Sequence, residues 1–312
     1  MIDNFLVVAG QVAVLFVLMG VGAVLRRAKL IAAESIDGMI NLLLLVVTPC
    51  LIVDVFQRPF SPEMLKGLVL AFLIASAGHV VAIAISCLTV RHRDDDTRRP
   101  LLLSAVFSNA GFMGIPLEQA ILGDSGVFYG IVYVVVFNLF MWSWGLRVMS
   151  RQGTHARGAR LKMFVNPGTV GIAIGLPVFF LSLKFPDIVS TPIHLLAGLN
   201  TPLAMVVIGY CLFGAKLGKV VRMPAVYVVA LVRLVVYPLL MVLVLRSLSG
   251  VLDRTMMLAI VIAASAPVAA MVSMFASKFA RDVDTSVAVV SGTTLLSIIT
   301  MPVVIALAMS VL

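Results

Sequence analysis

The sequence predicts an all-α polytopic membrane protein of ten transmembrane helices, and three observations predict it. Of 312 residues, 62% are hydrophobic and only 12% charged, about half the charged fraction of a soluble domain. The apolar residues gather into ten segments, each of roughly the 20 residues that a bilayer crossing needs. The connections between segments alternate between rich and poor in lysine and arginine.

The segments lie at about 4–25, 36–56, 66–90, 101–122, 126–146, 164–183, 192–214, 223–245, 255–277 and 285–310. Their connections are short, so no soluble motor domain fits. No glycine-rich loop ending in Gly-Lys-Ser/Thr is present either. The longest connection, 147–163, is basic and sits at the midpoint of the chain. It divides the protein into a first five-helix half (1–150), a cytoplasmic linker (151–163) and a second half (164–312). The first segment follows Met1, Ile2, Asp3 and Asn4 with no basic run, and its apolar stretch is long; it reads as a membrane helix rather than a cleaved leader. Cys50, Cys87 and Cys211 lie inside apolar segments without metal-binding spacing and read as small core residues.

Seventeen of the 23 lysines and arginines fall after segments 1, 3, 5, 7 and 9, among them Arg26, Arg91, Arg151, Lys216 and Arg281. Basic residues resist translocation, so these connections face the cytoplasm and both termini lie outside. The net charge of +9 is then a topology signal with affinity for anionic lipid. It is not a nucleic-acid footprint, since no aromatic residues interleave with the basic ones.

Five helices per half is an odd number, so the second half is inverted relative to the first. Thr48-Pro49 and Thr201-Pro202 recur 153 residues apart, and Pro116 and Pro267 recur 151 apart. The latter pair marks two segments, SAVFSNAGFMGIPLEQAIL at 104–122 and AIVIAASAPVAAMVSMF at 259–275, with small or polar residues before a central proline. Proline removes a helical hydrogen bond, and in lipid the freed backbone survives only where it is buried in protein or lines a cavity. Paired breaks in corresponding halves point to a carrier's binding site.

The stretch NAGFMGIPL at 109–117, followed by LGDSG at 122–126 and Asn138, resembles the signature of the auxin efflux carrier family. Asn166-Pro167, PLAMVVIG at 202–209, VVYP at 235–238 and Ala266-Pro267 agree, so the resemblance covers essentially the whole chain. That family includes bacterial carriers of malonate and other organic acids. The resemblance implies two inverted five-helix repeats with helices 4 and 9 crossing at their breaks. It implies a scaffold of helices 1, 2, 6 and 7, through which a homodimer forms, and a transport domain of helices 3–5 and 8–10. It also implies elevator-type alternating access in the plasma membrane, the inner membrane of a bacterium.

A broken helix exposes amide groups at one end and carbonyl groups at the other, so two crossed breaks can bind a carboxylate without many buried lysines. The candidate substrate residues are Asn109, Gly111, Gly114, Pro116, Asn138, Arg233, Ser265 and Pro267. Asn109 can contact substrate or ion, or tie down freed backbone. Gly111 and Gly114 let backbone approach the ligand. Asn138 and Ser265 are weaker polar candidates, and Asn138 also fits an interhelical contact. Arg233, deep in segment 8, is either an anion-attracting or gating charge or a structural arginine bound to carbonyls. Glu118 and Gln119 are candidates for a coupling cation, H+ or Na+; the alternative for Glu118 is an extracellular-side position near a helix end. Asp54 reads as a surface residue, and the serines and threonines of segment 10 as a packing face.

The function these readings predict is secondary transport of small organic anions. A sodium-coupled bile-acid-type carrier and an ion channel are the alternatives. Proton coupling, sodium coupling and uniport are all compatible with the sequence. His79, His92, His155 and His194 are scattered, with no HExxH spacing, so no enzyme, metal or organic cofactor is expected.

Overall fold

The computed structural model describes residues 2–150, 167–213 and 224–312. The midpoint linker and the basic cluster around Lys216 lie outside the described residues. Nearly everything described is helical. Among the described residues, seven helices are long and apolar enough to cross a membrane, and Val170–Phe180 and Arg254–Ser265 are shorter apolar helices.

Helix α1 spans Ile2–Arg27. The second segment is α2 (Ala33–Leu42), a π-helical turn (Leu43–Val47) and α3 (Thr48–Phe56). The third is α4 (Pro62–Thr89), entered through Ser61 with proline in the first turn, where the missing amide costs nothing. Next come α5 (Asp95–Val106), a π-turn (Ala110–Gly114) and α6 (Ile115–Phe140), which continues through a π-turn (Met141–Gly145) into α7 (Leu146–Met149). In the second half α8 is Pro167–Phe180, α9 Asp187–Gly198 and α10 Asn200–Phe213. Then follow α11 (Pro224–Leu231), a π-turn (Val232–Val236) and α12 (Tyr237–Ser247). The last are α13 (Arg254–Ser265), α14 (Met271–Lys278) and α15 (Val283–Val311).

The chain folds back inside α6. Gly123 has φ 64° and ψ −159°, a backbone that only glycine adopts cheaply. A continuous helix would separate Glu118 and Gly130 by about 18 Å at 1.5 Å per residue. Instead a Cβ at Gly130 would strike the Glu118 carboxylate, so the stretches before and after Gly123 lie side by side.

The broken helices are not divided where proline alone suggested. The first break lies at 107–109, before the π-turn. Pro116 sits in the first turn of α6, a position that tolerates proline. Pro267 does lie in the second break, between α13 and α14. The caps and breaks of the two broken segments match at a different spacing. Asp94 caps α5 and Asp253 caps α13, both helices run 12 residues, and each ends in extended backbone. Caps and breaks recur 159 residues apart, not 151. Segment 4 also starts earlier than its apolar run, because Asp94, Asp95 and Asp96 favour a helix N-terminus electrostatically.

Packing divides the helices into two groups. Helix α1 lies chiefly on α10, and α3 on α8 and α9. Gly22 and Gly209 let the first pair touch backbone to backbone: a Cβ at Gly22 would meet the Val206 carbonyl, and one at Gly209 the Met19 carbonyl. The other group is built around the broken helices, with α6 against α13 and α4, and α15 against α13 and α5; α15 also packs extensively on α1, where the two groups meet. The outer surface is apolar: Val17 is 68% exposed, Leu88 71% and Ile299 70%. Such side chains suit lipid contact. The cysteine reading is corrected accordingly, since Cys87 and Cys211 are exposed and Cys50 is half-buried. Apolar sequence context marks burial in water but not in a bilayer, where the outside is apolar too.

Candidate functional site

The two breaks meet. Ser108 and Val268 form an isolated antiparallel bridge. The Asn109 amide donates to the Pro267 carbonyl at 2.6 Å, and the Ala269 amide donates to the Phe107 carbonyl at 3.0 Å. The broken segments thus run antiparallel through each other and satisfy part of one another's freed backbone. Thr293 of α15 supplies another partner, accepting from the Val268 amide at 3.2 Å. Downstream, the Asn109 carbonyl accepts from the amides of Met113 and Gly114 and starts the π-turn.

Four helix ends converge at this crossing, two of each sign. The carbonyl ends of α5 and α13 meet Arg233, which is wholly buried. Its Nη1 donates to the Val106 carbonyl at 3.0 Å and its Nε to Ala266 at 3.3 Å; Nη2 donates to the Ala264 carbonyl. Its guanidinium lies 4.8 Å from the centre of the Tyr237 ring. Of the two readings of Arg233, the geometry is that of the carbonyl-bound arginine. It lines neither of the two larger cavities described below.

The amide ends open onto space. One cavity of about 230 Å3 is walled by Ser108, Asn109, Gly111 and Phe112 from the first break, Ala269 and Met271 from the second, Asn138 and Trp142 from the α6 stretch, and Leu44 and Thr48 from the second segment. A second, of about 270 Å3, shares Leu44, Asn109, Phe112 and Met271 with the first. It adds Cys211 of α10 and Ser291 and Thr294 of α15. Both cavities therefore lie between the two packing groups. Beyond them the groups close on each other through a dry cluster that includes Val8, Leu43, Val47, Met113, Leu117, Met205, Ile262 and Ile305.

Ser108 and Trp142 line the first cavity, and the Ser108 hydroxyl and the Trp142 indole nitrogen are buried in its wall without a hydrogen-bond partner among the described residues. An unpaired buried donor costs about 1–3 kcal/mol, so a side-chain rotation that turned either group into the cavity would be repaid by a polar partner there. Asn138 bonds its own helix at the Val134 carbonyl (2.9 Å) and still lines the cavity.

The remaining candidates disperse. Gly111 faces open cavity, whereas a Cβ at Gly114 would lie 3.4 Å from the Ala263 Cα, so Gly114 serves helix packing. Pro116 and Ser265 are buried away from the cavities, and the Ser265 hydroxyl donates to Ile262 at 2.9 Å. Pro267 acts through its carbonyl alone. Glu118 is fully buried, pressed against Gly130, with both oxygens unpartnered among the described residues. Gln119 donates to Asp124 at 2.9 Å and borders a separate cavity of about 120 Å3 with Asp54 and Asn200. There Asp54 contacts the His194 ring at 2.9 Å.

Sequence reading missed Ser108, Trp142, Phe112 and Met271. The signal for Ser108 was its place beside Asn109, once the break is put there rather than at Pro116. Three of the four described π-turns carry cavity-lining residues, namely Leu44, Gly111 with Phe112, and Trp142, and the fourth carries Arg233. Inserting one residue per turn re-aims side chains, which is why π-turns recur at functional sites.

The family model described as "Membrane transport protein" matches residues 7–305. The chain belongs to this family, the auxin efflux carrier family. No curated protein matches the sequence. The family's business is transport rather than catalysis, so the crossed breaks and their cavities belong to a multi-pass membrane transporter.

Proposed function

We propose that this member of the auxin efflux carrier family is a secondary carrier of small organic anions, with its site in the cavity at the amide ends of the crossed breaks. The observation that carries this reading is the sorting of helix ends at the crossing. The carbonyl ends are neutralised by Arg233, while the amide ends, with Ser108, Asn109 and Trp142, border the cavity. The uncancelled field there is positive, which favours a carboxylate without a charged side chain in the cavity wall.

The ten-helix inverted repeat, with both termini outside, is the arrangement that makes this work. The antiparallel bridge and the 159-residue recurrence of caps and breaks support it. On that topology both large cavities are walled by the cytoplasmic halves of their helices, and the dry cluster lies towards the outside. The conformation is then inward-facing, in the plasma membrane of the cell. The group of α1, α2–α3, α8 and α9–α10 is the scaffold, dimerising with its copy. The remaining helices form the body that slides past it. The apolar seam between the groups suits such sliding, since few hydrogen bonds need to break. The transported anion is accompanied by a cation or driven by membrane potential.

Proteoliposome uptake of labelled mono- and dicarboxylates tests the reading. Saturable uptake with counterflow is expected, and Asn109→Ala should lower it at least tenfold with folded protein retained. Ohmic current without counterflow would replace the carrier with a channel, and an unimpaired Asn109→Ala variant would move the site elsewhere.

A further inference from the structure

We infer that Arg233 is the resident cation of the crossing: it occupies the carbonyl oxygens that a bound alkali ion would otherwise coordinate, so the carrier works without Na+. The inference rests on the proposed anion site and extends it to the question of coupling.

Where half-helices end inside a membrane, their carbonyl ends carry partial negative charge and commonly coordinate Na+ or H+. Here two such ends meet, from α5 and α13, which would double the demand for a cation. Arg233 meets it with the donors of its planar fork, one each to Val106, Ala264 and Ala266. Those carbonyls come from both breaks, so one guanidinium serves both repeats. Tyr237, one helical turn on, covers the group. Among the described residues no carboxylate pairs with it, so the carbonyl ends themselves are the counter-charge.

A guanidinium stays protonated throughout the physiological range and is covalently tethered. Its charge therefore neither arrives with substrate nor leaves with it. An ion-coupled crossing must bind and release its cation in each cycle; this one is loaded permanently. The anion site then has its compensating charge in every conformation, at the cost of drawing no energy from a sodium gradient.

The test uses the full-length protein in detergent, with unfolding followed in NaCl, KCl and choline chloride at equal ionic strength. The parent protein should melt at the same temperature in all three. Arg233→Met, with the milder Arg233→Gln alongside, should melt lower and show a saturable, sodium-specific rise. Arg233→Lys, which keeps a tethered charge, should remain insensitive to sodium. A saturable sodium-specific rise in the parent overturns the inference, as does a folded Arg233→Met or Arg233→Gln protein blind to sodium. In proteoliposomes, replacing Na+ by choline should leave parental flux unchanged, and a tenfold loss would overturn the inference. If no organic acid is carried at all, the anion-carrier reading fails while the melting curves still decide the role of Arg233.

Discussion

Gly111 and Gly114 lie three residues apart in the same π-turn, yet they should respond in opposite ways to one substitution. A Cβ at Gly111 meets nothing within 4 Å, and the residue borders a cavity of about 230 Å3. Leucine adds four carbons there, and they project into the space a ligand would occupy. Neither glycine has a positive φ, so a side chain at Gly111 adds no backbone strain. It also removes unfolded-state freedom, a gain of about 0.4–1 kcal/mol. Gly111→Leu should melt at or above the parental temperature while losing transport. At Gly114 the first added carbon already sits 3.4 Å from the Ala263 Cα and 3.6 Å from the Ala110 Cβ. Three further carbons have no room, and overpacking costs about 1–3 kcal/mol or more. Gly114→Leu should therefore melt lower. Proteoliposome uptake beside thermal unfolding reads both effects. A Gly111→Leu protein transporting at the parental rate would refute the assignment of this cavity to the transport path. A Gly114→Leu protein as stable as the parent would refute the packing argument.

Two further outcomes follow from particular contacts. Gly130→Ala places a methyl on the Glu118 carboxylate and should destabilise by about 1–3 kcal/mol; Glu118→Ala in the same background should restore most of the loss, and strictly additive effects in the double-mutant cycle would deny the contact. Cys211 is exposed and lines the second cavity, so with Cys50→Ser and Cys87→Ser in place a membrane-impermeant maleimide should label it faster from the cytoplasmic face, the opposite preference refuting the inward-facing orientation.

Much of the architecture was legible because the bilayer imposes coarse rules. Segment length, low charge and the alternation of basic connections, such as those with Arg26, Arg91 and Arg281, with sparsely basic ones are properties of the chain read along its length. The antiparallel relation of the broken segments followed from counting, and the bridge at Ser108 and Val268 agrees with it. The position of the first break did not follow. Pro116 was a persuasive marker, but proline in a first turn starts a helix rather than ending one, and the extended residues 107–109 carry no comparable signal.

The candidate residues divided for a related reason. Asn109, Gly111 and Asn138 were found because polarity or smallness is unusual in mid-membrane, and all three reach the first cavity. Ser265, Gly114 and Glu118 carried the same signal and point elsewhere. Helical phase decides between these outcomes, and four π-turns shift that phase in ways no simple periodicity records.

The all-helical, apolar character of the chain, its place in a membrane and its family can be read from the sequence alone, because hydrophobic length and local motif are additive along the chain. Only the tertiary structure decided what Arg233 does. Its partners Val106, Ala264 and Ala266 are 127, 31 and 33 residues away and offer only backbone oxygen. Every residue has that oxygen, so no pattern of side chains could announce which carbonyls two crossing breaks would leave free.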